Sequence, residues 1–70
     1  MRIRGRKLET AKRLWKKDKQ IAEELGLQVP TVKAYIREIL LITDASTRTE
    51  AFLRLIDSKY FTTEEALECS

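Results

Sequence analysis

The chain has few of the residue types that build disulfide frameworks, metal centres and catalytic sites. It contains no histidine and a single cysteine, Cys69, so an internal disulfide and a zinc site of the usual cysteine and histidine type are both excluded. No serine or cysteine has a base nearby, and no glycine-rich loop could hold a phosphate. We therefore expect no enzymatic activity, no metal and no cofactor.

Long apolar runs are also missing. The longest, residues 39–42, is far too short to span a bilayer, and no apolar stretch follows the basic start MRIRGRK, so we predict neither a membrane segment nor a signal peptide. One proline, two glycines and the absence of low-complexity tracts favour a single folded domain among 70 residues. We expect a cytoplasmic protein.

Charge is distributed unevenly along the chain. Residues 1–37 contain 11 Lys and Arg against 4 Asp and Glu, a net charge of +7, whereas residues 38–70 contain 3 against 7, a net charge of −4. From this distribution we predict a surface for a polyanion on one side of the protein only.

Hydrophobic spacing and capping signals predict an all-α fold with four or five short helices and no strand. We expect a basic N-terminal arm over residues 1–6, a main domain over residues 7–61 and a short C-terminal helix or tail over residues 62–70. The predicted helices cover about Lys7–Lys17, with Leu8, Ala11, Leu14 and Trp15 facing the core, about Lys19–Leu25, about Val29–Ile42 and about Arg48–Lys59.

The predicted helix boundaries depend on single residues. Asp18 is expected to cap the second helix, and Gly26 to end it, because glycine tolerates the left-handed conformation. Pro30 suits the first turn of the third helix. Two capping boxes, Thr47 to Glu50 and Thr62 to Glu65, are expected to open the last two helices.

The third predicted helix has two contrasting faces. Val32, Ile36 and Ile39 lie on one side of a helical wheel, which we predict to be the core side. The opposite side carries Pro30, Lys33, Ala34 and Arg37, which are small or basic. Such a face suits the DNA major groove, where Lys and Arg donate to guanine and a small residue allows close approach. A solvated surface face is the alternative interpretation.

The stretch IAEELGLQVPTVKAYIREIL, followed by TRTEAFLRLI, resembles the LuxR/GerE type of helix-turn-helix domain. The resemblance covers about residues 20–56 and is carried by I-A-x-x-L, T-V-K and T-R-x-E-A at the family's separations. The chain departs from the pattern at Gln28, where Ser or Thr is usual, at Tyr35, where His is common, and at Asp44, where Gly is common. The resemblance implies a tetrahelical fold with a helix-turn-helix.

The resemblance implies that Lys33, Ala34 and Arg37 read bases, the same residues that the helical wheel selects. It also implies that Lys19, Gln20 and Thr31 contact phosphate. By charge and placement we add four further phosphate contacts: Lys17, Arg48 and, from the arm, Arg4 and Arg6.

The fourth predicted helix carries more apolar residues than one core face needs. The resemblance implies that this helix, over residues 48–59, pairs with its copy in a two-fold homodimer, and we expect Ala51, Phe52 and Leu55 at the interface. In the alternative interpretation, Tyr60, Phe61 and Leu67 fold back over it within one protomer.

Together these features predict a free-standing, sequence-specific transcription regulator of bacterial or phage type that binds double-stranded DNA at a palindromic site. Two alternatives remain open. One is a small protein-binding module that sequesters another regulator through Leu40–Ile42 and the fourth helix. The other is a phage terminase or recombination accessory module that binds DNA.

Overall fold

The computed structural model describes residues 3–69 and contains five α-helices: α1 Arg6–Lys12, α2 Asp18–Leu25, α3 Val29–Thr43, α4 Arg48–Asp57 and α5 Thr63–Leu67. No strand is present in this range. The all-α prediction is confirmed. Met1 and Arg2 of the predicted arm, and Ser70 of the predicted tail, lie outside the described residues.

The helices enclose one small core around α3. This helix contacts α1, α2 and α4, and α1 also contacts α2, α4 and α5. Val32 and Ile39 are completely buried and Ile36 is nearly so, as the wheel predicts. Ile21 from α2 and Leu55 from α4 meet them in the same apolar cluster.

Local signals set most of the helix ends. Gly26 ends α2 with φ 67° and ψ 36°, and α3 begins at Val29 with Pro30 in its first turn. Thr47 accepts a bond from the Glu50 N–H to start α4. Thr62 and Glu65 form the complete capping box of α5. The predictions for Gly26, Pro30 and the Thr62 box are confirmed, because each rests on residues within one turn of the boundary. The Thr47 box forms only in part, because the Glu50 carboxylate accepts from the Ser46 N–H instead of the Thr47 N–H.

The prediction that Asp18 caps α2 is wrong. Lys17 holds the N-cap position, and no side chain caps this helix. Asp18 is the first helical residue instead, and its carboxylate pairs with Arg48 from α4. A long-range ion pair has therefore replaced the local bond that the sequence indicates.

The predicted extent of the first helix and the placement of Trp15 are also wrong. Helix α1 ends at Lys12, and residues 13–16 form turns before α2 begins. Helical spacing no longer applies beyond Lys12, so Trp15 turns outward and is 48% exposed. Its indole N–H donates to the carbonyl oxygens of Lys12 and Ala66, at 3.1 and 3.2 Å.

The N-terminal arm is shorter than predicted. Helix α1 already begins at Arg6, and the preceding Ile3 is only 5% exposed and belongs to the core cluster. A domain of this size has few apolar side chains to bury, and it includes one from the segment before its first helix.

Candidate nucleic-acid interface

The face of α3 opposite the core is exposed along its length. Pro30, Lys33, Ala34 and Arg37 are all exposed, whereas Val32, on the other side of the helix, is completely buried. The side chains that the sequence selects as base-reading residues are therefore open to a partner. Further along the same face, Leu41 is 75% exposed, so the basic stripe ends in an apolar residue.

Internal ion pairs neutralise some of the cations of the protein and leave others, including both cations of the exposed α3 face, without a partner among residues 3–69. Six cations form ion pairs within residues 3–69: Lys7, Lys12, Arg13, Lys16, Arg48 and Arg54. The remaining described cations have no ion pair with another described residue: Arg4, Arg6, Lys17, Lys19, Lys33, Arg37 and Lys59. All of these except Lys59 precede Glu38 in the chain, so the uncompensated positive charge belongs to the N-terminal half.

The start of α2 is the second part of the candidate interface. Lys17, Lys19 and Gln20 are exposed there, and Thr31, in the first turn of α3, is half-buried. The three-residue turn over residues 26–28 joins the two helices, which pack against each other. Because no side chain caps α2, the N–H groups of its first turn can donate to a phosphate oxygen.

The N-terminal arm leads into α1 close to α3. Lys7 forms an ion pair with Glu38 of α3, which places the beginning of α1 next to the C-terminal half of α3. Arg4 and Arg6 precede this contact and are exposed, while Ile3 is held in the core. Arg4 and Arg6 therefore lie in the chain between two fixed points: Ile3, which is held in the core, and Lys7, which is bonded to α3.

Arg48, another predicted phosphate contact, forms several bonds within the protein. Its guanidinium donates to the carbonyl oxygens of Leu14 and Lys16, at 3.2 and 2.6 Å, and to the carboxylate of Asp18. All three guanidinium nitrogens are thus engaged within the protein. Arg48 therefore joins α4 to the turn between α1 and α2, and its contact with phosphate stays a prediction.

Two of the three predicted dimer residues are core residues. Ala51 and Leu55 are completely buried, because their side of α4 faces α3 and α1 within the protomer. Phe52 is half-buried and its ring packs against Phe61, with centroids 5.6 Å apart. The prediction of Ala51 and Leu55 at an interface is wrong, and the interpretation in which Phe61 folds back over α4 agrees with this contact.

The exposed apolar surface of α4 lies on its other side. Leu53 is 56% exposed. Together with Leu14, Trp15 and Phe52 it lines a groove of about 300 Å³ that Arg48 and Thr49 border. The sequence pattern does not indicate Trp15 at this position, because helical spacing predicts that it faces the core.

An ionic cluster of low exposure also joins the turn between α1 and α2 to the rest of the protein. Arg13 and Lys16 are only 8% and 7% exposed, and both bond to the carboxylate of Glu24 on α2, at 2.9 Å and at 2.6 to 2.8 Å. Lys16 Nζ also donates to the Cys69 carbonyl oxygen, and Arg13 bonds to Glu9. Only the pair Glu9 and Arg13, four residues apart on one helical pattern, could have been found from spacing.

The cluster changes the acidity of its carboxylates. The bond from Lys16 has the largest effect and, together with the bond from Arg13, lowers the pKa of Glu24 below its ordinary value of 4.5, although burial acts in the opposite direction. The bond from Arg13 similarly lowers the pKa of Glu9. Both carboxylates are therefore charged at neutral pH, and the cluster fixes the orientation of α2 through Glu24.

Other kinds of site are absent from the part of the chain that the structure describes. Residues 3–69 contain no group of three or more His, Cys, Asp or Glu that could hold a metal ion. None of the five described helices combines the length and the apolar character that a membrane crossing requires.

Compared with protein-family models, with curated proteins and with solved structures, the chain matches none.

Proposed function

We propose that this protein is a sequence-specific, DNA-binding transcription regulator that places α3 in the major groove. The observation that carries the proposal is the exposed stripe of Lys33, Ala34 and Arg37, whose two cations have no ion pair within residues 3–69. The resemblance to the LuxR/GerE type of helix-turn-helix, drawn from the sequence, supports the same assignment.

The spacing on α3 fits the repeat of base pairs. Lys33 and Arg37 are one turn apart, a rise of about 6 Å along the helix. This distance corresponds to roughly two base-pair steps. Each cation can donate to O6 and N7 of a guanine, and Ala34 between them can contact a thymine methyl group. We expect a half-site in which guanines flank a thymine or its complement.

Phosphate contacts would fix the protein on the duplex. Lys17, Lys19 and Gln20 can contact one strand from the start of α2, together with Thr31. The exposed arm cations Arg4 and Arg6 add positive charge beside α3. The acidic residues of the second half would keep α4 and α5 away from DNA by repulsion.

A two-fold dimer is part of the proposal, with a surface revised from the sequence prediction. The exposed apolar residues Leu53 and Trp15, with the half-buried Phe52 between them, can pack against the same residues of a second copy. Such a dimer would present two copies of α3 to a palindromic site.

The proposal is tested by selecting bound duplexes from a random DNA library at a fixed salt concentration of about 0.1 M, because phosphate contacts make affinity depend steeply on salt. The wild type is expected to enrich an inverted repeat, and Lys33→Ala and Arg37→Ala to lose it. Lys59→Ala is the matched control and should enrich the wild-type site, because it removes an exposed cation that has no ion pair among residues 3–69 and is distant from α3 in the chain. Enrichment of no sequence by the wild type contradicts the proposal.

One observation favours a second candidate, a protein-binding module. Leu41 is 75% exposed on the same face of α3 as Arg37, and a large apolar residue there suits a protein partner. In this case Leu41→Asp should abolish function while Lys33→Ala and Arg37→Ala are near neutral. The DNA-binding proposal expects the reverse ranking.

A further inference from the structure

The guanidinium of Arg48 lies where it can control the start of α2. Its three nitrogens bond to Leu14 O, Lys16 O and the Asp18 carboxylate, so one side chain of α4 contacts both the turn that leads into α2 and the first residue of α2. The carbonyls of Leu14 and Lys16 belong to a turn rather than a helix and have no helical donor.

The electrostatic consequence concerns Asp18. Its carboxylate lies in sequence between Lys17 and Lys19, two of the proposed phosphate contacts, and a negative charge there repels a phosphate group. The ion pair with Arg48 compensates this charge, and both side chains are partly buried, at 33% exposure for Arg48 and 25% for Asp18. Arg48 therefore favours the approach of DNA by compensating the charge of Asp18, without contacting the DNA itself.

We infer that Arg48 is a positioning residue for DNA binding: it fixes the start of α2 and compensates Asp18, so that Lys17, Lys19 and the free N–H groups of α2 can contact phosphate. This inference rests on the function proposed above. It couples α4, the helix proposed to dimerise, directly to a proposed phosphate-binding element.

The chain offers a matched control in Arg54, the other arginine of α4. Its guanidinium also donates to two backbone oxygens, Thr43 O and Asp44 O, both at 2.7 Å, and pairs with Glu50. Arg54→Met therefore removes one positive charge and a comparable set of bonds at the end of α3 rather than at the start of α2.

The experiment measures the affinity of each variant for the duplex that the wild type selects, with thermal unfolding recorded in parallel. We expect Arg48→Met to weaken binding about tenfold, which corresponds to about 1.4 kcal/mol, because an uncompensated negative charge then lies near phosphate. Arg54→Met should leave affinity unchanged. Adding Asp18→Asn to Arg48→Met should restore part of the affinity, because the unpaired carboxylate is removed.

Arg48→Lys separates positioning from a direct phosphate contact. A lysine keeps the charge but cannot hold three acceptors in a fixed fork, so we expect it to weaken binding, whereas a phosphate contact would tolerate it. Retained affinity in Arg48→Lys together with no rescue by Asp18→Asn overturns the inference in favour of a direct contact. Wild-type affinity in Arg48→Met overturns it in favour of a purely structural role.

A measurement on the free protein distinguishes failure of the positioning inference from failure of the proposed function. Arg48→Met should shift the backbone amide NMR signals of residues 14–20 in the free protein, and Arg54→Met should not. If the wild type binds no duplex, the proposed function itself fails. If it binds and residues 14–20 are unchanged in Arg48→Met, only the positioning inference fails.

Discussion

The salt dependence of DNA binding gives a direct count of the phosphate contacts that this surface makes. Lys17 and Lys19 are exposed at the start of α2 and have no ion pair within the described residues. The logarithm of the binding constant falls with the logarithm of the salt concentration, with a slope of about −0.9 for each neutralised phosphate. Substituting one of these lysines by alanine should therefore reduce the slope by about 0.9 for each copy of the chain on the DNA.

The magnitude follows from the exposed cations. Four side chains of each protomer are proposed to contact phosphate through a positive charge: Lys17, Lys19, Arg4 and Arg6. If all four do so, a two-fold dimer has a slope of roughly −7, and Lys19→Ala in both copies brings it to roughly −5. A monomer would show roughly half of each value. The same titration therefore reports contacts and stoichiometry together.

The assay is fluorescence anisotropy of a labelled duplex carrying the selected site, titrated at several salt concentrations between about 0.05 and 0.3 M. Lys59→Ala is the control, because Lys59 is also exposed and unpaired among residues 3–69 but lies beyond the end of α4. The reasoning is refuted if Lys19→Ala leaves the slope unchanged, or if Lys59→Ala changes it by the same amount.

Three further predictions concern stability and assembly. Lys59 has φ 64°, so Lys59→Gly should raise the free energy of urea unfolding by about 0.5–1 kcal/mol, and a decrease would contradict this reasoning. Because the pKa of Glu24 is lowered in the folded protein, its ion pairs stabilise the fold above about pH 4.5, and this stabilisation is lost as the pH falls below that value. Glu24→Gln should therefore lower the free energy of unfolding strongly at pH 7 and only weakly at pH 3, and an equal loss at both pH values would contradict this. Leu53→Lys should abolish the dimer in sedimentation equilibrium and keep the fold, whereas Leu55→Ala should cost about 3 kcal/mol of stability; loss of fold in Leu53→Lys would place this residue in the core.

Residues near each other in the chain made much of the structure predictable. Gly26, Thr47 and the Thr62 capping box act within a single turn, so their effects could be read without knowledge of the fold. The two faces of α3 follow from helical spacing alone, because its core side and its exposed side repeat within one uninterrupted helix. For this reason the exposure of Lys33 and Arg37 was foreseen as well.

Residues whose partners are distant in the chain were not predictable. The placement of Trp15 depends on where α1 ends and on the Ala66 carbonyl, which is 51 residues away. Arg48 finds acceptors in the turn before α2 and at the first residue of α2, 30 to 34 residues earlier, and sequence alone identified it only as an exposed cation at a helix start. Lys16 is buried because Glu24 and the Cys69 carbonyl provide its bonds.

By itself, the sequence determined the all-α fold, the opening of the last two helices and the basic, exposed face of α3, since these depend on spacing and on local hydrogen bonds. Only the tertiary structure decided which charges remain unpaired and which side of α4 is free. Those outcomes depend on which helices pack together. Packing buried Ala51 and Leu55, brought Arg48 to Asp18 and left Leu53 and Trp15 at the surface.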